Sequence, residues 1–545
     1  MTIGSTEKLA VPWFKLALAG ACGVLWAMAF PHWNLSGLGW LAPGLVLLCS
    51  LSSSRRVCFW CGCASGLTMS LTGLYWLLYM PVTGLPILGW IALSLYLSLY
   101  TGLWTWLCWK LFPSTSHSLQ TPPKLPWLKQ TGWSLFCAAS WAGLETLQSH
   151  LFTGFPWNLL GASQSELLVV TQLASYTGVA GISFLMVWCS TSLLLAVFDF
   201  MGQSHSNRGF PRALFLPAVA LIGVSGYGWR KLTTPAPPSA EIKIAMVQPS
   251  FPQTLIWDSS AADARLERML ELSRTALASK PDLLVWPESA APYSVRFDTQ
   301  TQQAVRTLLE KSQAWMVMGS DDAGIEDLKG GGTRTNYYNS AFLLDSSGGF
   351  HGGYAKRQLV IFGEYVPLAK WLPFLRWFTP VGHGFTSGDK RVAFAIPTPD
   401  ARFAPLICFE DMFARVARDQ AQSEIDFLLN ITNDGWFDES AQQWQHAAHA
   451  TFRAIENGIP LVRCSNNGIT CWIDKHGRMS DPAAGLSKGA YSEGIQIIQV
   501  PLDRSPPAEW TFYRRHGEIF GWSCLGLAAV FTLLSTRSLR TSRDQ

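Results

Sequence analysis

From the N-terminus to about residue 231, long apolar runs alternate with short polar joints. The runs cover roughly Trp13–Pro31, Gly37–Leu51, Val57–Tyr79, Gly84–Leu107, Gly132–Gln148, Gly178–Phe198 and Ala213–Trp229. Each is near the ~20 residues that carry a helix across about 30 Å of hydrocarbon, the second being short. Ile519–Leu534 forms an eighth run, again near the minimum length. The first run lacks a small-residue cleavage site and is followed by more runs, so it reads as a retained helix rather than a signal peptide.

Between the seventh and eighth runs the period changes. The linker "TTPAPPSAE" (233–241) is rich in proline and marks a boundary. Beyond it, strand and helix patterns alternate. "IKIAMVQ", "DLLVWP", "AWMVMGS", "YYNSAFLLD", "FAPLIC" and "DFLLNITN" read as strands, and a short strand follows the turn in "GGFHGGYAK". "SAADARLERMLELSRTALAS", "QQAVRTLLEKSQ", "FARVARDQAQ" and "AQQWQHAAHATFRAIENG" read as helices, and "IPLVRCSNNGITCWID" as a hairpin about Asn467–Gly468. Such alternation predicts an α/β layered domain. The chain thus divides into a membrane part (1–231), a polar domain (232–515) and a last span with its tail (516–545).

Composition and charge sharpen this picture. Apolar residues make up 49% of the 545 positions and charged residues only 14%, a balance expected of a chain partly dissolved in lipid. The 26 tryptophans fit the same setting, since indole favours the membrane–water boundary. If eight spans alternate, Lys8, Lys15, Arg55, Arg56, Lys110, Lys124, Lys129, Arg208, Arg212, Arg537, Arg540 and Arg543 share one side. The opposite loops "PHWNLS", "MPVTGLP" and "SHLFTGFPWNLLGASQ" carry no lysine or arginine. The positive-inside rule then puts both termini in the cytoplasm and residues 232–515 outside it. Arg230, Lys231, Arg514 and Arg515 lie on the outer side, where a long translocated domain weakens the rule. A net charge of +4 gives no footing for a nucleic-acid partner.

Three strand ends carry candidate chemistry: Glu288 in "LLVWPESA", Lys356 in "YAKRQLVIFGEYVPL" and Cys408 in "LICFED". Strand ends are where ligand sites of α/β folds gather. A carboxylate can take a thiol proton, and an ammonium favours thiolate and a developing oxyanion, so the three suit acyl transfer. Taken alone, each also has a bland reading, a solvated strand-end charge or an inert packed cysteine.

These motifs, with "LFTGFPWNLLGASQ", "NDGWFDES", "QWQH" and "RCSNNGIT", resemble the nitrilase, or carbon–nitrogen hydrolase, superfamily. Within it the chain is most similar to a membrane-bound branch, the apolipoprotein N-acyltransferases, over almost its whole length. The resemblance implies an α-β-β-α layered nitrilase-like domain inserted between about eight spans of a bacterial inner-membrane protein. It also implies that a phospholipid gives its acyl chain, through a cysteine thioester, to the α-amino group of a diacylglyceryl-modified apolipoprotein. No metal or cofactor is implied. The same resemblance makes Glu288 the general base, Lys356 the group beside the oxyanion and Cys408 the nucleophile. Glu364 becomes the second glutamate of the pocket, orienting Lys356 or the amine, and Glu410 a structural or substrate-positioning acid. Trp257 resembles a tryptophan near the lipid entrance. Three positions depart from the pattern: Phe409 stands where tyrosine is common, Ile361 replaces a proline, and Gln148 replaces an arginine that would partner Glu145. A membrane-tethered amidohydrolase, with water resolving the acyl-enzyme, is the alternative reading.

Other features have plainer readings. Cys58, Cys61 and Cys63 suit packing in a span better than a metal site, lacking a second cysteine knuckle or a histidine pair. His446 and His449 lack a neighbouring acid in sequence, which favours hydrogen bonding over zinc. "KGGGTRTN" reads as a loop, not a phosphate cradle. A two-residue turn at Asn467–Gly468 would set Cys464 opposite Cys471, so an oxidising compartment could join them and leave Cys408 free. The aromatic "FLRWFTPVGHGF" is expected to dip into lipid near the pocket through Phe374, Trp377 and Phe378.

Overall fold

The computed structural model describes residues 11–51, 54–82, 85–113, 125–202, 211–235, 239–327, 332–367, 371, 384–486 and 489–541. The expected lipid-facing residues Phe374, Trp377 and Phe378 lie outside this set, as do Lys329–Gly331 of the glycine-rich loop.

Eleven strands form two sheets among the described residues. They are β1 (Glu241–Gln248), β2 (Leu283–Val285), β3 (Trp315–Asp327), β4 (Thr333–Leu344), β5 (Phe350–Ala355) and β6 (Phe394–Ile396). Then follow β7 (Ala401–Ile407), β8 (Phe427–Thr432), β9 (Leu461–Ser465), β10 (Cys471–Ile473) and β11 (Gly494–Pro501). One sheet runs β11-β1-β2-β3-β4-β5 and the other β10-β9-β8-β7-β6. β1, β2 and β3 are mutually parallel, as are β7, β8 and β9, which sets their C-terminal ends side by side.

Alternation along β1 shows why two sheets stack. Ile242, Ile244 and Met246 point to the space between the sheets and meet Phe403, Ile407, Leu429 and Val462. Ala245 and Val247 point the other way, onto Leu266, Met269 and Leu270 of the helix Ala262–Leu277. On the far side, Ala404, Leu406 and Leu428 pack with the helices Ala414–Ala421 and Ala441–Asn457. The layers are therefore α-β-β-α.

Helices also occupy each of the eight apolar runs. Among the described residues three are long and apolar enough to cross a membrane, Pro86–Lys110, Val179–Met201 and Arg212–Thr233. Ala42–Ser50 has nine residues, and at ~1.5 Å per residue it falls well short of the hydrocarbon thickness.

The two parts are tightly joined. Trp76, near the end of the third apolar run, and Trp157, from a joint between runs, share a buried cluster with the outer face of the second sheet. Arg415 donates to the carbonyls of Ser149 and Thr153, and the Gln445 carboxamide takes the indole N–H of Trp76 (3.1 Å) and Trp157 (2.7 Å). Gln445 also donates to the carbonyls of Pro31 and Gly73.

The hairpin register overturns the expected Cys464–Cys471 pair. Cys471 lies opposite Arg463, so the loop is centred on Asn467 and the pairing is one residue out from that of a two-residue turn. A one-residue slip reverses the face. Cys464 accordingly faces the core between the sheets and Cys471 the outer cluster, and both are free thiols.

Candidate active site

The four residues Glu288, Lys356, Glu364 and Cys408 come together at the C-terminal ends of strands from both sheets. Glu288 leaves β2 over the neighbouring β3, where Trp286 still donates to the Val317 carbonyl at 2.8 Å. The fit is close: a Cβ at Gly319 would come 2.4 Å from the Pro287 carbonyl oxygen and 2.8 Å from the Glu288 Cα. Only glycine lets the acid-bearing turn approach β3 this closely. Lys356 follows β5 and is tied to β4 by its N–H, 2.8 Å from the Asn339 carbonyl.

Lys356 Nζ lies 3.1 Å from Glu288 Oε1 and 2.8 Å from Glu364 Oε1, and its side chain is 1% exposed. The Asn339 Nδ2 donates to the same two oxygens, at 2.7 Å and 3.0 Å. Val360 N–H holds the other oxygen of Glu364 at 2.9 Å, whereas Glu288 Oε2 is buried with no hydrogen-bond partner among the described residues. One carboxylate is thus fully anchored, and the other keeps an oxygen free for a proton. Burial works against the Lys356 ammonium, but Glu288, Glu364 and Cys408 hold it well above its ordinary value.

Cys408 directly follows β7 in the left-handed region, at φ +52°, a conformation that costs a non-glycine residue and holds the half-buried thiol at a sharp turn. Burial pushes the thiol well above its ordinary value; Glu288 adds to the push and Lys356 opposes it. Asp321, opposite Asn339 across β3 and β4, is raised to about 6, first by desolvation and then by the charges of Glu288 and Glu364. It therefore shares the field of the site.

The other expected site residues sit around this array. Glu410 is fully buried and accepts from the N–H groups of Ile407 (2.8 Å), Arg357 (2.7 Å) and Gln358 (3.1 Å) and from the Tyr354 hydroxyl. It ties the cysteine turn to the segment carrying Lys356, leaving its carboxylate occupied by protein donors. Phe409 stacks on Trp157 (6.0 Å between centroids, 24°) and meets Phe413 edge-on. A phenyl ring fills that seam. Trp257 stands apart from the carboxylates, 43% exposed, edge-on to Trp436 at 5.2 Å. Glu145 takes the Leu160 N–H at 2.6 Å, and its second oxygen has no partner among the described residues.

His446 is hydrogen-bonded, as expected, but to partners that its own stretch of sequence does not show. It lacks an acid in its own stretch of sequence, but folding brings two against it, Asp411 at 2.5 Å and Asp434 at 2.9 Å. Burial and the charges of Arg453 and His446 push the neighbouring His449 well below its ordinary value. Among the described residues no group of three or more histidine, cysteine, aspartate or glutamate side chains could hold a metal ion. Sequence reading also missed Asn339, whose only outward sign is an amide amid the apolar positions of "YYNSAFLL".

Residues 22–192 match the family model for the apolipoprotein N-acyltransferase N-terminal domain, and residues 243–510 match that for carbon–nitrogen hydrolases. The chain is 33% identical over 536 residues to an apolipoprotein N-acyltransferase of Geobacter metallireducens, covering 97% of this chain and 96% of that one. It is 30% identical over 503 residues to one of Caulobacter vibrioides, covering 90% and 89%. Among solved structures, a mutant of a nitrilase-superfamily amidase from Nesterenkonia aligns at 17% identity and a TM-score of 0.36, over 52% of this chain and 96% of that one.

Proposed function

The chain belongs to the apolipoprotein N-acyltransferase family, and we propose that it moves an acyl chain from a phospholipid to the α-amino group of a diacylglyceryl-modified apolipoprotein through a thioester on Cys408. The observation that carries this reading is the convergence at Cys408: Glu288 and Lys356 both act on its thiol, and the next residue, Phe409, stacks on Trp157 of the membrane part.

In the first half-reaction Glu288 takes the thiol proton and the sulfur attacks the ester carbonyl. The Lys356 ammonium, kept charged by two carboxylates, stands beside the developing oxyanion. Collapse expels the lysophospholipid alkoxide, which receives the proton from Glu288. In the second half-reaction the amine attacks the thioester, Glu288 removes a proton from nitrogen, and Cys408 leaves as thiolate and is reprotonated. Glu364 holds Lys356 in place through both halves. Since Glu288 has one anchored and one free oxygen, it can pass a proton without releasing its lysine.

The proposed arrangement of eight spans, the second too short to cross as a single helix, with residues 232–515 on the outer side of a bacterial inner membrane, suits substrates that stay in the bilayer. Withdrawing an acyl chain from lipid costs about 0.8 kcal/mol per CH₂, more over a full chain than ordinary binding returns.

Purified wild-type protein incubated with phospholipid is expected to carry an acyl thioester on Cys408, detected by mass spectrometry and discharged as an amide by a diacylated lipopeptide. Cys408→Ala is expected to lose both signals. A thioester discharged by water alone would indicate a tethered amidohydrolase, and transfer by Cys408→Ala would overturn the assignment of the nucleophile.

A further inference from the structure

Beneath the cysteine turn lies a closed ring of four ionisable side chains from four elements. Asp411 belongs to the turn containing Cys408, Asp434 to the turn after β8, His446 to the helix Ala441–Asn457 and Arg463 to β9. All four are at most 1% exposed. His446 Nε2 is 2.5 Å from Asp411 Oδ1 and Nδ1 is 2.9 Å from Asp434 Oδ1. Arg463 closes the ring, 2.7 Å from Asp411 and 2.5 Å from Asp434. The ring reaches the cysteine through Asn430, whose Nδ2 bonds Asp411 and also donates to the Cys408 carbonyl at 3.2 Å.

The charge of this ring depends on one proton. A neutral imidazole has a single N–H, whereas here each ring nitrogen faces a carboxylate oxygen. Arg463 Nη2 is also 2.9 Å from Nδ1, so a neutral tautomer could accept from it. That tautomer, however, would leave two aspartates balanced by one arginine in a fully buried site, and an uncompensated buried charge costs several kcal/mol. With His446 protonated, two negative charges meet two positive ones.

We propose that His446 is kept as an imidazolium by Asp411 and Asp434, and that it serves as the charge-balancing positioning residue of the Cys408 turn. This rests on the assignment of Cys408 as the nucleophile. Both ring protons are taken up by carboxylates, so His446 exchanges none with substrate. Its effect is electrostatic and mechanical. Asp434 acts directly on the thiol, as do Glu288, Lys356 and the hydroxyl of Thr432. Removing the imidazolium leaves the ring with a net negative charge beside a thiol that must ionise. The charged and titratable groups facing His446 are Asp411, Asp434, Arg463 and, on its own helix, His449.

The test measures the rate of Cys408 carboxamidomethylation against pH in the full-length protein in nanodiscs, by peptide mass spectrometry, beside thioester formation from phospholipid. His446→Gln is expected to move the alkylation midpoint up by about one pH unit or more and to slow thioester formation about tenfold. Asp434→Asn combined with His446→Gln restores neutrality and is expected to bring the midpoint most of the way back. An unmoved midpoint in His446→Gln, or a double variant displaced as far as the single one, would overturn the proposal. Should these variants not accumulate, ¹⁵N-histidine NMR of wild-type protein at a pH of about 8 decides instead. A buried imidazolium persisting there supports the proposal, and a neutral tautomer overturns it. Failure of the nucleophile assignment shows separately, as acyl transfer by Cys408→Ala.

Discussion

At the scale of single residues, Glu288 acts on Cys408 in two opposed ways. As the proposed proton acceptor it would enable attack, while its negative charge adds to the burial that holds the thiol well above its ordinary value. Glu288→Gln therefore separates the two effects. Without the negative charge, thiolate becomes easier to form, and the Cys408 alkylation profile is expected to move to lower pH. Without the base, thioester formation is expected to fall by ~10²-fold or more. A profile that moved upward would show that the carboxylate assists ionisation more than it opposes it. The types and strand-end positions of Glu288, Lys356 and Cys408 were legible in the chain. Asn339 was not, because its role exists only where β4 passes between two carboxylates from distant segments. The acids beside His446 were equally invisible, being 35 and 12 positions away along the chain.

At the scale of elements, the helix Ala441–Asn457 joins the two parts. It starts with Ser440 capping the Gln442 N–H and ends with Gly458 in the left-handed conformation, both readable locally. Its sequence is rich in glutamine and histidine, yet nearly all of it is buried, because its polar side chains meet partners from elsewhere. Gln445 alone bonds two tryptophans and two carbonyls of the membrane part. Gln445→Leu would leave the Trp157 N–H and the Pro31 carbonyl without that partner, at about 1–3 kcal/mol for each group left unpaired. We expect a lower thermal unfolding midpoint and slower acyl transfer, since Trp157 backs Phe409 next to the proposed nucleophile. An unchanged midpoint would mean that water replaces the carboxamide. The β9–β10 hairpin teaches the opposite lesson: its existence was legible, but not its register. Asn467–Gly468 signals a turn, and only pairing within the sheet assigns Cys471 to Arg463 rather than to Cys464.

At the scale of the whole molecule, the proposed topology makes a direct prediction. A membrane-impermeant maleimide applied to intact spheroplasts should label a cysteine introduced at Ser347, exposed on the catalytic domain, and spare one at Arg56. Labelling of Arg56→Cys in sealed cells would reverse the orientation. By itself the sequence determined the apolar runs, the α/β alternation and the residue types able to do acyl-transfer chemistry. These follow from local rules, since burial in lipid or between sheets writes its period directly into the chain. Tertiary structure decided which oxygen of Glu288 stays free, what surrounds His446, how Phe409 and Trp157 meet, and which face each hairpin cysteine takes. Those facts depend on contacts between segments far apart in sequence, where a one-residue change of register or a single crossing strand alters the partner without altering any local pattern.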